Sequence, residues 1–183
     1  MTILHIDSSI TGENSVSRIL TRRIVDQLRA ADESVHVIER DVVAEPLDHL
    51  TLGAFADSSV LEEFLAADTI VIGAPMYNFT LSSQLKAWLD RILVAGQTFR
   101  YTEHGPEGLV GDKRVIVALS RGGFYDTNSP AAPLEHLETY LTGVFGFIGI
   151  RPEFVHADGI AVGPEQREAG IANGLAEVER LAA

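Results

Sequence analysis

Residues 69–74, TIVIGA, decide the fold of this chain. They are apolar, β-branched or small, and Pro75 follows them directly. An apolar run of this length, ended by a proline, is typical of a central strand in a parallel sheet, where helices cover both faces. We therefore predict an α/β protein that is built around this strand.

Four further apolar segments alternate with five amphipathic ones along the chain. The other predicted strands are residues 3–7, 35–40, 114–120 and 153–156. The predicted helices are residues 15–31, 57–67, 81–95, 130–147 and 164–181, while residues 41–56 and 97–112 are predicted as irregular. This alternation predicts a flavodoxin-like three-layer sandwich, in which a five-stranded parallel sheet of order 2-1-3-4-5 has helices on both faces. A Rossmann order is the competing arrangement, but G-x-G-x-x-G does not follow the first strand.

The amino-acid composition excludes several classes of function. The 183 residues, predicted as one domain over 1–183, include 14 basic and 26 acidic side chains, a net charge of −12. An acidic surface repels phosphate backbones and anionic lipids, so we expect neither nucleic acid nor membrane partners. The absence of cysteine excludes disulfides, thiolate metal sites and a cysteine nucleophile. The N-terminal MTILHIDSS does not resemble a signal peptide, and we expect a cytoplasmic protein without a bound metal.

Residues 8–17, SSITGENSVS, follow the first strand. They supply hydroxyl groups together with the free amides at the start of a helix, which bind anions. The phosphate-loop sequence G-x-x-x-x-G-K-[ST] is missing, so a monophosphate held by neutral donors fits better than a nucleoside triphosphate. Ordinary capping of the helix by serine is the alternative.

Two more loops follow the third and fourth predicted strands. Residues 75–79, PMYNF, place aromatic, amide and flexible apolar side chains at the sheet edge, where they either cover a flat ring or cap the core. Residues 120–123, SRGG, let backbone amides approach a ligand, or form a plain glycine turn. Taken together, a phosphate cradle beside an aromatic rim predicts a site for flavin mononucleotide (FMN).

The chain resembles the FMN-dependent NADH azoreductases, which are also described as NADH:quinone oxidoreductases of flavodoxin-like fold. Residues 75–123 carry the resemblance most specifically, and it extends to SSITGENSVS, to FGFIGI at 145–150 and to EFVHADGIAVGPE at 153–165. The segment between the second and third strands is shorter than in typical members, near residues 46–59. This departure leaves the range of acceptors open.

The resemblance implies one FMN per subunit of a homodimer, with NADH or NADPH as electron donor. It implies a ping-pong reduction of quinones and azo compounds in which the flavin carries the chemistry and no residue is a dedicated catalyst. The implied phosphate contacts are Ser9, Ser15, Val16 and Ser17. The implied ring contacts are Met76, Tyr77, Asn78, Phe79, Ser120, Arg121, Gly122 and Gly123. Phe99, Tyr101 and Phe147 are implied to shape the acceptor pocket.

Other functions remain open from the sequence. A flavodoxin-type electron carrier, or an NAD(P)H-dependent FMN reductase, would share the fold and the cofactor. A receiver domain needs an aspartate at the end of the third strand, where this chain has Pro75 and Met76. A serine hydrolase is disfavoured because G-x-S-x-G is missing.

Overall fold

The computed structural model describes residues 1–181, which form seven strands and five α-helices. The strands are β1 (Thr2–Asp7), β2 (His36–Asp41), β3 (Thr69–Pro75), β4 (Phe99–Thr102), β5 (Gly105–Gly108), β6 (Arg114–Ser120) and β7 (Glu153–Ala157). The helices are α1 (Val16–Ala31), α2 (Ser59–Ala66), α3 (Ser83–Ile92), α4 (Glu138–Phe147) and α5 (Pro164–Val178). Within these residues, no helix combines the length and the apolar character needed to cross a bilayer.

Five of the strands form one parallel sheet in the order β2-β1-β3-β6-β7. This confirms the flavodoxin-like class and the five-stranded parallel sheet. The order differs from the predicted 2-1-3-4-5 because a separate antiparallel pair, β4–β5, intervenes in the chain. The predicted fourth and fifth strands are therefore β6 and β7.

Strand β3 occupies the centre of the sheet, and all seven of its residues are buried. It pairs with β1 on one side and with β6 on the other. Both faces carry side chains that pack against helices, because Ile70 and Ile72 belong to one core and Val71 to the other. This two-sided burial explains why the segment is uninterrupted by charge.

Helices cover the two faces of the sheet unequally. On one side, α1 and α5 pack over a smaller core that includes Leu20, Ile24 and Val178. On the other side, α2, α3 and α4 enclose a larger core with Phe64, Trp88 and Phe145. The Phe64 and Trp88 rings meet edge to face, 6.0 Å between centroids, which is a favourable arrangement for two aromatic rings.

Residues 97–112 contain a hairpin, although the sequence predicted an irregular segment. Strands β4 and β5 pair antiparallel, from Phe99 opposite Gly108 to Thr102 opposite Gly105. The hairpin packs against the end of α4 by backbone contact. A Cβ atom on Gly108 would lie 2.1 Å from the carbonyl carbon of Ile148, so only glycine permits this approach.

Helix α4 is shorter than predicted. It begins at Glu138, whereas residues 130–137 contain only a short 3-10 turn, Ala132–Leu134, with a proline in it. The Glu135 carboxylate accepts hydrogen bonds from the amides of Leu137, Glu138 and Thr139 at 2.8–3.0 Å. These bonds satisfy free amides at the helix start and define its true beginning.

The hairpin contact predicts opposite effects of two glycine-to-alanine substitutions. Gly108→Ala should lower the free energy of unfolding by about 2–3 kcal/mol, since the added methyl group overlaps the Ile148 backbone. Gly146→Ala should raise it by about 0.5–1 kcal/mol, because this exposed position of α4 has open space and alanine favours helix. Urea unfolding of both variants measures the difference. Equal stabilities would contradict the contact between the hairpin and α4.

Candidate functional site

A cavity of about 510 Å³ opens at the carboxyl edge of the sheet. It lies where the chain leaves β1, β3 and β6, which is the edge that binds ligands in open parallel sheets. Its volume is within the range of small-molecule sites. The lining residues are Ser9, Thr11, Asn14, Ser15, Val16, Pro75, Met76, Tyr77, Ser120, Arg121, Gly122, Ile160, Ala161 and Arg167.

The loop between β1 and α1 forms a cradle of hydroxyl groups and amides at one end of this cavity. The Ser15 side chain caps α1 by accepting a hydrogen bond from the Arg18 amide at 3.3 Å. Its hydroxyl group also lies 3.1 Å from that of Ser17. The amides of Val16 and Ser17 belong to the first turn, where a helix offers no acceptor of its own. These groups fit a phosphate monoester.

Charged side chains buried beneath the cradle hold its loop in place. The Arg18 guanidinium bonds Asp7 at 3.2 Å and Asp41 at 2.7 Å, and it donates to the Ser9 carbonyl at 3.2 Å. Burial acts to raise the pKa of Asp7, but the neighbouring His5 ring, the charge of Arg18 and the hydrogen bond from Thr21 outweigh it and lower that pKa. Asp7 therefore remains ionised and keeps Arg18 against the loop.

Tyr77 connects the cradle with the loop that follows β3. Its hydroxyl group accepts a hydrogen bond from the Ile10 amide at 3.1 Å and lies 3.3 Å from the Ser9 hydroxyl. The Tyr77 phenol thus joins the loop after β3 to the cradle.

The rim itself contains a strained turn. Tyr77 and Thr80 exchange backbone hydrogen bonds of 2.9 and 3.2 Å around Asn78 and Phe79. Both central residues have positive φ angles, 47° and 74°. Asparagine tolerates this region, whereas a bulky residue such as phenylalanine rarely adopts it. Strain of this kind concentrates at functional sites, and Phe79 itself is 43% exposed.

Backbone hydrogen bonds join the SRGG loop to its neighbours. The Met76 amide donates to the Ser120 carbonyl at 2.9 Å. On the other side, the amides of Gly159, Ile160 and Ala161 donate to the carbonyls of residues 123, 121 and 122 at 3.0–3.1 Å. The segment after β7 therefore becomes a fourth wall of the cavity.

The Arg121 side chain points away from the cavity into a group of carboxylates. Its guanidinium forms bonds of 2.6 and 2.8 Å with Asp158 and one of 3.3 Å with Glu138, which also contacts His156 at 3.1 Å. Burial acts to lower the pKa of Arg121, but Asp158, Glu138 and Glu135 more than offset it and raise that pKa. The cation is thus neutralised by protein acids.

The structure brings together most of the twelve residues that the sequence proposed for a cofactor. Eight of them line the cavity, namely Ser9, Ser15, Val16, Met76, Tyr77, Ser120, Arg121 and Gly122. Four do not line it. Ser17 is fully buried behind Ser15, and Asn78 and Phe79 form the turn at the rim. A Cβ atom on Gly123 would lie 3.5 Å from the ring of Tyr125.

Sequence reasoning missed the residues that follow β7. Ile160, Ala161 and Arg167 line the cavity although none was proposed. The available signal was the topology, since β7 lies beside β6 and its carboxyl end reaches the same edge. Thr11 and Asn14 were quoted within SSITGENSVS but were not singled out.

The three aromatic residues implied for an acceptor pocket contact one another. The Phe99 ring lies 4.6 Å from that of Phe147 and 5.5 Å from that of Tyr101, between centroids. None of the three lines the 510 Å³ cavity of the chain as described over residues 1–181. Tyr101 is 75% exposed, so this cluster presents an aromatic surface to the outside.

Known proteins resemble this chain over nearly its whole length. The profile of a family described as having a flavodoxin-like fold matches residues 1–182. The chain is 55% identical over 201 residues to FMN-dependent NADH:quinone oxidoreductase 2 of Bradyrhizobium diazoefficiens, with 100% of both sequences covered. It is 53% identical over 194 residues to an FMN-dependent NADH:quinone oxidoreductase of Methylorubrum extorquens strain PA1, with 96% of both covered.

A solved structure gives the same result. The azoreductase from Bacillus anthracis str. Sterne superposes with a TM-score of 0.89 at 30% identity, covering 98% of this chain and 97% of that one.

The alignment with the Bradyrhizobium protein extends over 201 positions, whereas this chain has 183 residues. This chain therefore lacks residues that the relative has. This agrees with the expectation that the chain is shorter than typical members.

The positive φ of Phe79 predicts an inverted order of stability for two variants. Phe79→Gly should have a free energy of unfolding about 1 kcal/mol greater than Phe79→Ala, because glycine adopts this conformation without strain. Both variants lose the same ring, so ring contacts cancel in the comparison. Urea unfolding measures the two values.

Phe124 supplies the matched control. It is 48% exposed, and its φ is not positive. There, the glycine variant should be less stable than the alanine variant by about 0.5–1 kcal/mol, as is usual for glycine. If alanine is the better residue at both positions, the strain assigned to Phe79 is absent.

Proposed function

This chain belongs to the family of flavodoxin-like fold, and from that membership and the geometry of its site we propose that it is an FMN-dependent NADH:quinone oxidoreductase. Its relatives bear that name, and a structural neighbour is an azoreductase, so we extend the proposal to reductive cleavage of aromatic azo compounds. The whole chain acts as one FMN-binding domain in the cytoplasm.

A single observation carries the proposal, namely the 510 Å³ cavity that joins a phosphate cradle to an aromatic rim. Ser9, Ser15, Val16 and Ser17 hold the phosphate through hydroxyl groups and first-turn amides. Met76 and Tyr77, together with Asn78 and Phe79 in the turn at the rim, would hold the isoalloxazine ring.

When bound, FMN supplies two-electron transfer between a nicotinamide and an acceptor. The chain's own residues orient the ring and stabilise the charge that it carries. The backbone amide of Gly122 would suit this task, because Gly122 lines the cavity and no side chain intervenes between its amide and a ligand. The Arg121 charge is already balanced by Asp158 and Glu138, so neutral dipoles of the SRGG loop provide the stabilisation. Solvent supplies protons.

Anaerobic titration tests this function. Protein reconstituted with FMN should be yellow and should lose its visible flavin absorbance when NADH is added, then regain it with a quinone or an azo dye. Balance of electrons requires one NADH per quinone reduced to hydroquinone and two NADH per azo bond cleaved to two amines. Steady-state consumption of NADH against each acceptor measures this stoichiometry, and NADPH in a parallel series measures the donor preference.

Two other outcomes of this titration would indicate a different function. A yellow protein that does not react with NADH would indicate a flavodoxin-type electron carrier. Release of reduced FMN into solution, without turnover of bound flavin, would indicate an FMN reductase. A protein that cannot take up FMN would contradict the proposal and both of these alternatives.

We also propose that the chain works as a homodimer. The observation in favour is a shallow, largely apolar surface on α4 and at the end of α3, lined by Leu93, Thr139, Tyr140, Gly143, Val144 and Phe147. Exposed apolar patches of this kind commonly mark protein contacts, and a two-fold axis lets one patch meet its copy. The exposed Tyr101 ring, which reaches Phe147 through Phe99, lies beside this surface.

Substitution in this patch tests the dimer. Val144→Asp should give a particle of half the wild-type mass, because a buried unpaired carboxylate is costly at an apolar interface. Ala172→Asp is the control, since it adds the same charge to an exposed position of α5 on the opposite side of the sheet. Light scattering coupled to size exclusion measures both masses. A wild type of monomer mass, or a dimeric Val144→Asp, would refute the assigned interface.

A further inference from the structure

Two arginine residues line the candidate FMN site, and the surroundings of their side chains differ. Arg121 is almost completely buried, and Asp158, Glu138 and Glu135 surround its guanidinium within 4 Å. Arg167 is half-buried, and within residues 1–181 no carboxylate forms an ion pair with it. The positive charge of Arg167 is therefore available to a ligand, while that of Arg121 is not.

Arg167 belongs to the first turns of α5, far in sequence from the cradle. Its Nη2 donates a hydrogen bond of 3.1 Å to the carbonyl of Asn14, which is the last residue of the 3-10 turn Gly12–Asn14. The next residue, Ser15, caps α1. One hydrogen bond leaves most donors of a guanidinium unused, since the group carries five N–H bonds.

The position of Arg167 beside the cradle matters because the phosphate of FMN is an anion. A phosphate monoester has a charge of about −1.5 to −2 at pH 7. The chain has a net charge of −12 and repels such an anion at long range. The hydroxyl groups and amides of the cradle are neutral, so they offset this repulsion only through local dipoles. A guanidinium at the cradle adds the missing positive charge and matches the geometry of phosphate oxygens.

We propose that Arg167 is the cationic partner of the FMN phosphate, and that it makes the site select flavins with a terminal phosphate over riboflavin. The inference rests on the proposed function, because it assumes that the flavin occupies the 510 Å³ cavity. It assigns a role to a residue that sequence reasoning missed, and it replaces the expectation that neutral donors alone hold the phosphate.

A purely structural role for Arg167 is the competing explanation. Its bond to the Asn14 carbonyl connects α5 with the loop after β1, and loss of this connection would loosen the whole cavity. The two roles predict different ligand dependence. A loosened cavity weakens FMN and riboflavin equally, whereas a lost phosphate partner weakens FMN alone.

Equilibrium titration of the apoprotein separates these roles. FMN and riboflavin are added to wild type, Arg167→Gln and Arg167→Lys, and quenching of flavin fluorescence gives each Kd. We expect Arg167→Gln to raise the Kd of FMN about tenfold, the effect of losing one charged hydrogen-bond partner, and to leave that of riboflavin within about twofold. Arg167→Lys keeps the charge but loses the planar fork, so it should restore part of the FMN affinity.

Arg23→Gln is the matched control for net charge. Arg23 lies on α1, is half exposed and pairs with Glu179, so its substitution changes the charge of the chain by the same amount without reaching the cavity. It should alter neither Kd. Raising the salt concentration should weaken FMN binding more in wild type than in Arg167→Gln, because salt screens a charge that the variant lacks.

Two results would overturn the proposal that Arg167 binds the phosphate. Equal losses for FMN and riboflavin would assign Arg167 the structural role, and an unchanged FMN Kd in Arg167→Gln would place its charge outside the phosphate's reach. In either case a wild type that binds FMN and oxidises NADH would leave the proposed function intact. A wild type that binds neither flavin would overturn the function and this inference together.

Discussion

The parallel pairing of β1, β3 and β6 is the constraint on which the rest of the structure depends. Their register places Asp7 beside Gly73 and Pro75 beside Ser120, so the chain leaves all three strands at one edge. Three loops that are distant in sequence become neighbours for this reason alone. The cavity is therefore a property of the topology first, and of the individual side chains second.

Hydrogen bonds between the loops then connect the walls of the cavity to one another. The Tyr77 hydroxyl group reaches the Ser9 loop, the Met76 amide reaches Ser120, and the segment after β7 pairs with SRGG. Arg18 secures the cradle from below through Asp7 and Asp41. A site whose walls are already connected loses little freedom when a ligand binds, which favours tight and specific recognition.

Much of the sheet and the position of the site were predictable from the sequence, because both follow from local patterns. Strand β3 is apolar along its whole length, and the loops carry serine, glycine and aromatic residues at strand ends. The hairpin was not predictable, since each of its strands has only four residues and β5 consists largely of glycine and proline. The topology pointed to the segment after β7, but it did not single out Arg167, because the proximity of this residue to Asn14 arises only after β7 and α5 have packed. The strain at Phe79 likewise depends on tertiary contacts, because the sequence PMYNF gives no sign of a left-handed turn.

The approach of the hairpin to the end of α4 also limits how this chain can diverge. A Cβ on Gly108 would overlap Ile148 and Gly149, and one on Gly149, whose φ is 94°, would meet Gly108 at 3.4 Å. Gly108 therefore cannot acquire a side chain unless the Ile148–Gly149 backbone moves. At Gly149 the positive φ disfavours a side chain, although a Cβ there would be only in ordinary contact with Gly108. A replacement at Gly108 alone thus carries the cost of displacing the backbone beyond α4, so a chain that keeps this hairpin geometry must keep glycine there.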